Sequence, residues 1–179
     1  MIVNRVALFD GIAPSFGELI GSKKITDCVQ QYDDISKLVG NLDWNMPKCE
    51  QEKAIGKILN TVNEDDYDLL ILLGNKNSWL NIVKIIEAMG YPKNKKALPS
   101  LILLLQDLNW PGANEGIGIL KNIEHEVLVP MLEAAIESAA MSCDYMWLAG
   151  IKQFLRLAHI TKQKFINQDL FEELKNADW

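Results

Sequence analysis

Residues 98–120, LPSLILLLQDLNWPGANEGIGIL, constrain the fold more than any other stretch of this 179-residue chain. Two helical patterns meet there. Pro99 suits the first turn of a helix, where its missing N–H leaves nothing unsatisfied. Leu101, Ile102, Leu104, Leu105 and Leu108 then fall on its inner side. Pro111 opens the second pattern, with Ala113, Ile117 and Leu120 along one side. Only Gln106-Asp107-Leu108-Asn109-Trp110-Pro111 separates the two, so a tight junction must fold them back as antiparallel neighbours. Gly112, Gly116 and Gly118 each cost the second helix up to about 1 kcal/mol relative to Ala. Such glycines are expected where another backbone comes close, from the same chain or from a partner.

The same pattern runs through the rest of the chain. Thr26 is a candidate cap for a segment from Asp27 toward Leu42. Pro47 precedes a helix with Ala54, Ile55, Ile58, Leu59 and Val62 on one face. Tyr67–Leu73 is a short apolar run closed by Gly74-Asn75. Ser78 is expected to cap a helix carrying the stripe Trp79, Ile82, Val83, Ile86 and Met89, which Gly90-Tyr91-Pro92 stops. Leu128, Met131, Leu132, Ala135, Ile136 and Ala139 predict another helix, with Pro130 in its first turn. Asp144 caps a helix with Trp147, Leu148, Ile151, Phe154, Leu155 and Ala158 inside. Asn167 is a candidate cap for a terminal helix, with Ile166 and Phe171 spaced as a hydrophobic staple. Residues 1–25 are less legible. Ile2–Phe9 fits a strand or a helical turn equally, and Ser15-Phe16-Gly17-Glu18 has capping-box spacing. No strand pattern occurs beyond residue 25. The prediction is an all-α chain of eight to ten short helices.

Four of the five tryptophans stand at or just before the second helix of a predicted pair: Trp44, Trp79, Trp110 and Trp147, separated by 35, 31 and 37 residues. Asn41-Leu42-Asp43-Trp44 echoes Asp107-Leu108-Asn109-Trp110, and Asp144-Tyr145-Met146-Trp147 echoes both more loosely. A period of 30–40 residues with two helices per unit is the signature of an α-solenoid. A large ring beside each turn would fill the gap between stacked pairs. Trp110 is therefore expected to be largely buried, its truncation to Ala costing about 3–5 kcal/mol.

Composition sets the function classes. A hydrophobic fraction of 49% and a charged fraction of 23% are those of an ordinary globular protein. The net charge of −6 counts against nucleic-acid or anionic-membrane binding. Cys28, Cys49 and Cys143 are odd in number and widely spaced, which argues against a disulfide framework or zinc knuckle and fits a cytoplasmic location. The N-terminus lacks a signal-peptide pattern, and no apolar run has the length of a membrane span.

Each candidate for chemistry has a plainer structural reading beside it. Gln106, Asp107, Asn109 and Trp110, with Asn114 and Glu115 on the following helix, would make a partner-binding surface at a solenoid turn. The structural alternative has Asp107 or Asn109 capping the helix after Pro111 while Trp110 packs. Glu64-Asp65-Asp66-Tyr67-Asp68 offers carboxylates for a hard cation, but lacks EF-hand spacing and reads better as a solvated acidic turn. Glu124-His125-Glu126 suggests acid–base work, yet adjacent helical residues point apart, and the other histidine, His159, is 34 positions away. Cys143 sits at a helix N-terminus that would lower a thiol pKa; a buried, inert thiol is the expectation. Lys93, Lys95 and Lys96 would meet a phosphate or simply form a solvated loop. No phosphate-loop, dinucleotide or serine-hydrolase string occurs. No catalytic, metal or cofactor residue is assigned.

Leu105-Gln106-Asp107-Leu108-Asn109-Trp110-Pro111-Gly112-Ala113, preceded by Ile85-Ile86-Glu87-Ala88-Met89-Gly90-Tyr91-Pro92 and followed by Asp144–Trp147, resembles the DUF5071 family of uncharacterised, mainly bacterial proteins. The resemblance covers Asn77–Ala158 and implies a HEAT-like helical fold without implying any activity. The combined expectation is an all-α, HEAT-like α-solenoid of short antiparallel helix pairs. It would form a single helical-repeat domain over 1–179, with an N-terminal extension at 1–30 and a repeat core at 34–158. It would act as a non-catalytic protein-binding or regulatory module without a cofactor. The alternative is a nucleic-acid-binding or DNA-repair enzyme on the same scaffold.

Overall fold

The computed structural model describes residues 25–63 and 66–177. The expectations for Ile2–Phe9 and Ser15–Glu18 lie outside them. The described residues are helical and contain no strand. The α-helices are α1 (Ile25–Gly40), α2 (Lys48–Thr61), α3 (Leu69–Leu73), α4 (Lys76–Met89), α5 (Leu98–Leu103), α6 (Ala113–Leu120), α7 (His125–Met141), α8 (Tyr145–Leu157) and α9 (Leu170–Glu173). Short 3-10 turns at Lys93–Ala97, Leu104–Gln106, Lys162–Lys164 and Leu174–Asn176 join or extend them. None of these helices is long and apolar enough to cross a membrane.

The chain divides into two compact units, Met1–Asp34 and Ile35–Trp179. Of the first, the described part is the opening of α1, where the Gln30 amide donates to Asp34 one turn later (3.0 Å). The second holds all the elements discussed below.

Its core is centred on α5. Leu98, Leu101, Ile102, Leu104 and Leu105 are each no more than 1% exposed, and each such side chain contributes roughly 1.5–3 kcal/mol of burial. Leu108, expected inside, is only half-buried because the chain leaves the helix at Asp107. Helices α3, α6 and α7 pack on α5, while α8 packs on the 3-10 turn that ends it. Ser100 sits in this apolar surrounding and donates to the Asp68 carbonyl at the start of α3 (3.0 Å).

The contact of α8 with the 3-10 turn after α5 depends on Gly150. A Cβ there would stand 1.9 Å from the Leu105 carbonyl oxygen. One turn earlier on α8, the Trp147 indole N–H donates to the Ile102 carbonyl (3.1 Å). Trp79, in the first turn of α4, does the same toward α3, donating to Ile71 (3.1 Å). A buried indole must find an acceptor for its N–H, and each finds one on a preceding helix.

Caps follow the sequence in part. Asp144 accepts from the Trp147 N–H (3.0 Å) and caps α8 as expected. The cap of α4 is Asn75 rather than Ser78: Asn75 accepts from the Asn77 N–H (2.8 Å), and Ser78 closes a reciprocal box from the third position. Pro130 lies inside α7, beyond its first turn, because the helix begins five residues earlier at His125. The staple at the C-terminus does not form. Ile166 is 77% exposed, and Phe171 instead meets Phe165 edge to face at 5.2 Å. The segment is held by Glu133, a buried carboxylate of α7 that accepts from the Asn167 N–H (2.8 Å). Lys162 and Lys175 bracket Glu172 and hold its carboxyl down at about 2.

Helices α7 and α8 end alike. Cys143 (φ 53°) and His159 (φ 54°) occupy the left-handed position after each helix. The next N–H reaches back five residues, Asp144 to Ala139 (2.8 Å) and Ile160 to Leu155 (2.9 Å). This is the Schellman closure, which ordinarily takes glycine. Cys143 is consequently exposed on a turn rather than buried.

Candidate functional site

The first turn of α4 is where the two echoing tryptophan turns meet. Asn41–Pro47 docks on it through the backbone: the Trp44 N–H donates to the Asn77 carbonyl (3.1 Å). Side chains extend the contact. Asn77 donates to Asp43 Oδ2 (3.0 Å), and Asn81 donates to both the Leu42 carbonyl and Gln51 Oε1 (2.8 Å each). Gln51 in turn donates to the Met46 carbonyl (2.8 Å). The Asn45 backbone N–H, followed by the Asn77 amide, holds the Asp43 carboxyl below the usual range. Trp44 itself is 51% exposed.

The second turn, Gln106–Gly112, reaches the same helix end differently. The Trp110 ring lies against Trp79 with centroids 5.0 Å apart and planes tilted by 45°. Lys76 Nζ stands 5.0 Å from the Trp110 ring centroid, within cation–π range. Gly112 (φ 88°) backs the turn; a Cβ there would come within 3.0 Å of Val83 and 3.2 Å of the Trp79 carbonyl. Trp110 is half-buried rather than largely buried, since one face rests on Trp79.

The remaining predicted site residues take definite places. Asp107 accepts from the Asn109 N–H (2.9 Å). It thus closes its own turn, and no side chain caps α6. Gln106 is half-buried at the end of the 3-10 turn, Asn109 is exposed, and Asn114 and Glu115 are exposed in the first turn of α6. Trp110, Asn109, Asn114 and Glu115 therefore share one junction, while Asp107 serves its backbone. A Cβ on Gly116 would meet Leu101 and Leu104 at ordinary distances (3.7 and 3.9 Å), and one on Gly118 would face open space.

Trp44, Lys76, Asn77 and Trp79 were missing from the predicted site. The echo between Asn41–Trp44 and Asp107–Trp110 was the available signal. Both turns place an Asp whose carboxylate accepts from the N–H two residues on, Asn45 (2.8 Å) and Asn109. The tryptophan stands between those two positions in the first turn and after them in the second.

The other candidates lie elsewhere. Glu64 and Asp65 fall outside the described residues. Burial raises the Asp68 carboxyl, opposed by the Leu69 N–H and by Lys96. Glu124 precedes α7, His125 is half-buried and Glu126 exposed. Among the described residues no three His, Cys, Asp or Glu side chains gather in a way that would hold a metal ion. Lys93, Lys95 and Lys96 are exposed on the 3-10 turn after α4. Lys93 lines a surface cleft of about 580 Å³, walled by the ends of α2 and α4.

No protein-family model, curated protein or solved structure gives a match to this chain.

Proposed function

We propose that this chain is a non-catalytic protein-binding or regulatory module, a HEAT-like α-solenoid of the DUF5071 type working in a bacterial cytoplasm. Its partner surface lies where the two tryptophan turns converge on α4. The carrying observation is that Trp44, 51% exposed, and Trp110, half-buried against Trp79 with Lys76 over its ring, both stand at turns that dock on the start of α4. Tryptophan is enriched among residues that dominate binding energy, because a large rigid ring gains contact area at small entropic cost. Asn109, Asn114 and Glu115 supply a polar rim with half-buried Gln106 beside them, and Asp107 closes the second turn. Both turns are anchored to one helix end, so little ordering would remain to oppose association.

The test begins with capture from the native host by the full chain, followed by purified binding of the captured protein. Trp44→Ala and Asn114→Arg change exposed residues and should leave the melting temperature unaltered. Each should weaken the purified complex at least tenfold. Unchanged affinity in both variants would refute the assignment of this surface. A salt-sensitive shift with duplex DNA would move the reading to the nucleic-acid alternative.

A further inference from the structure

The net charge of −6 is spread unevenly along the chain. Residues 145–168 contain no Asp or Glu, the longest such run in the sequence, and Lys152, Arg156, Lys162 and Lys164 fall inside it. These cations gather toward the C-terminal end of α8. Lys152 and Arg156 are exposed four residues apart, the spacing of neighbours on a helix surface, while Ile151, Phe154 and Leu155 are buried on the other side. The Ile160 N–H then reaches back to the Leu155 carbonyl (2.9 Å), which folds the chain over at the helix end just before the 3-10 turn Lys162–Lys164. Lys162 is engaged by Glu172. Lys152, Arg156 and Lys164 form no ion pair among the described residues.

Aliphatic side chains stand out among these cations. Leu157 is 42% exposed beside Arg156, and Ile166 is 77% exposed two residues after Lys164. The backbone at Phe165 is extended and its ring is buried, so Lys164 and Ile166 lie on the opposite, outward side. Unanswered cations beside outward aliphatic groups complement a surface that presents negative charge with hydrocarbon directly beneath it. The interface of an anionic bilayer offers both, whereas a phosphate backbone offers charge alone. We infer that the end of α8 and the turn after it dock peripherally on an anionic lipid surface. Lys152, Arg156 and Lys164 lie among the headgroups, with Leu157 and Ile166 at the acyl boundary.

Cosedimentation of the full chain with vesicles tests this docking. One set is phosphatidylcholine alone, and the other is an equal mixture with phosphatidylglycerol. Binding should be at least tenfold tighter to the mixed vesicles and should fall as salt rises. Lys152→Gln, Arg156→Gln and Lys164→Gln should each weaken it about fivefold, the contribution of one basic residue near an anionic surface. Ile166→Ser should weaken it about threefold without changing the salt dependence. All four positions are exposed, so the melting temperature should stay where it is. Equal binding to the two vesicle types, or none to the mixed ones, would overturn the assignment. So would unchanged binding in a Lys152→Gln/Arg156→Gln double variant. An Ile166→Ser variant that binds as tightly as the parent would also overturn it, since charge alone would then suffice. Tighter binding to duplex DNA than to the mixed vesicles would reassign the patch to nucleic acid.

Discussion

Two seams attach neighbouring elements to the central helices, and they are made of opposite materials. The loop Asn41–Pro47 is joined to α4 by amides and a carboxylate: Asp43, Asn77, Asn81 and Gln51 link side chain to side chain and to the Leu42 and Met46 carbonyls. Helix α8 is joined to α5 and its closing 3-10 turn by contact so close that Gly150 leaves no room for a Cβ, with one indole bond as the polar component. Each seam carries a tryptophan of the same sequence series. Trp44, on the polar seam, stays 51% exposed, while Trp147, on the close-packed seam, is 3% exposed. A recurring tryptophan therefore does not carry a recurring role. A seam satisfied by amide hydrogen bonds can hold its loop with the ring left outside. A seam built on dispersion and exclusion of water needs the ring inside.

The largest expected effect breaks the close-packed seam. Gly150→Ala sets a methyl group 1.9 Å from a backbone oxygen that cannot rotate away. It should cost at least about 4 kcal/mol or prevent folding, at the extreme of single-substitution effects. Urea unfolding monitored by circular dichroism would show it, and a variant within 1 kcal/mol of the parent would disprove this account of the seam (about 1 kcal/mol being the ordinary cost of a substitution).

The polar seam should yield more gently. Asn81→Ala removes two hydrogen bonds from a half-buried site that water can partly resatisfy, a loss of about 1–2 kcal/mol. Trp44→Ala on the same loop should fall within about 0.5 kcal/mol. If the two variants exchanged places in a denaturant series, the ring rather than the amides would be holding the loop.

A third change works on the entry to the close-packed seam and has the opposite sign. Cys143 pays for a left-handed backbone at the turn leading into α8. Cys143→Gly should stabilise by about 0.5–1 kcal/mol, offset in part by the greater freedom of glycine in the unfolded chain. A fall in melting temperature would indicate that the Cys143 side chain contributes to the turn.

The smallest effect distinguishes the seams by acid. Asp43 has a carboxyl pKa depressed in the folded state, chiefly by the Asn45 N–H and then by Asn77. Its contribution is present above the unfolded value of 3.8 and is lost as pH falls through the lower folded value. Protection of the Asn45 amide from hydrogen exchange should therefore weaken below about pH 4, before the α8 seam responds. Asp43→Asn should remove this pH dependence. Parallel loss in both seams would refute a separate polar latch.

The helices were legible in the chain alone. Apolar residues three and four apart, with Pro47, Pro99 and Asp144 at their starts and Gly90 at an end, act within a turn or two of the chain, so they are readable without partners. The chain also held the echo between the two tryptophan turns, because an Asp that accepts from the N–H two residues on is a local device. Where each turn docks was a different matter. Nothing near Trp44 or Trp110 says that both meet the first turn of α4, since Asn77, Asn81, Lys76 and Trp79 lie more than thirty residues from one or the other. The glycines make the point most sharply. Gly112, Gly116 and Gly118 stood out because they cluster, yet a Cβ would find open space at Gly118 and ordinary contacts at Gly116. Gly112 is required by its positive φ and the nearby Trp79 carbonyl, but the closest approach of all falls at Gly150, alone in a good helix. Steric exclusion depends on which atoms from distant segments arrive at a position, and only tertiary packing decides that.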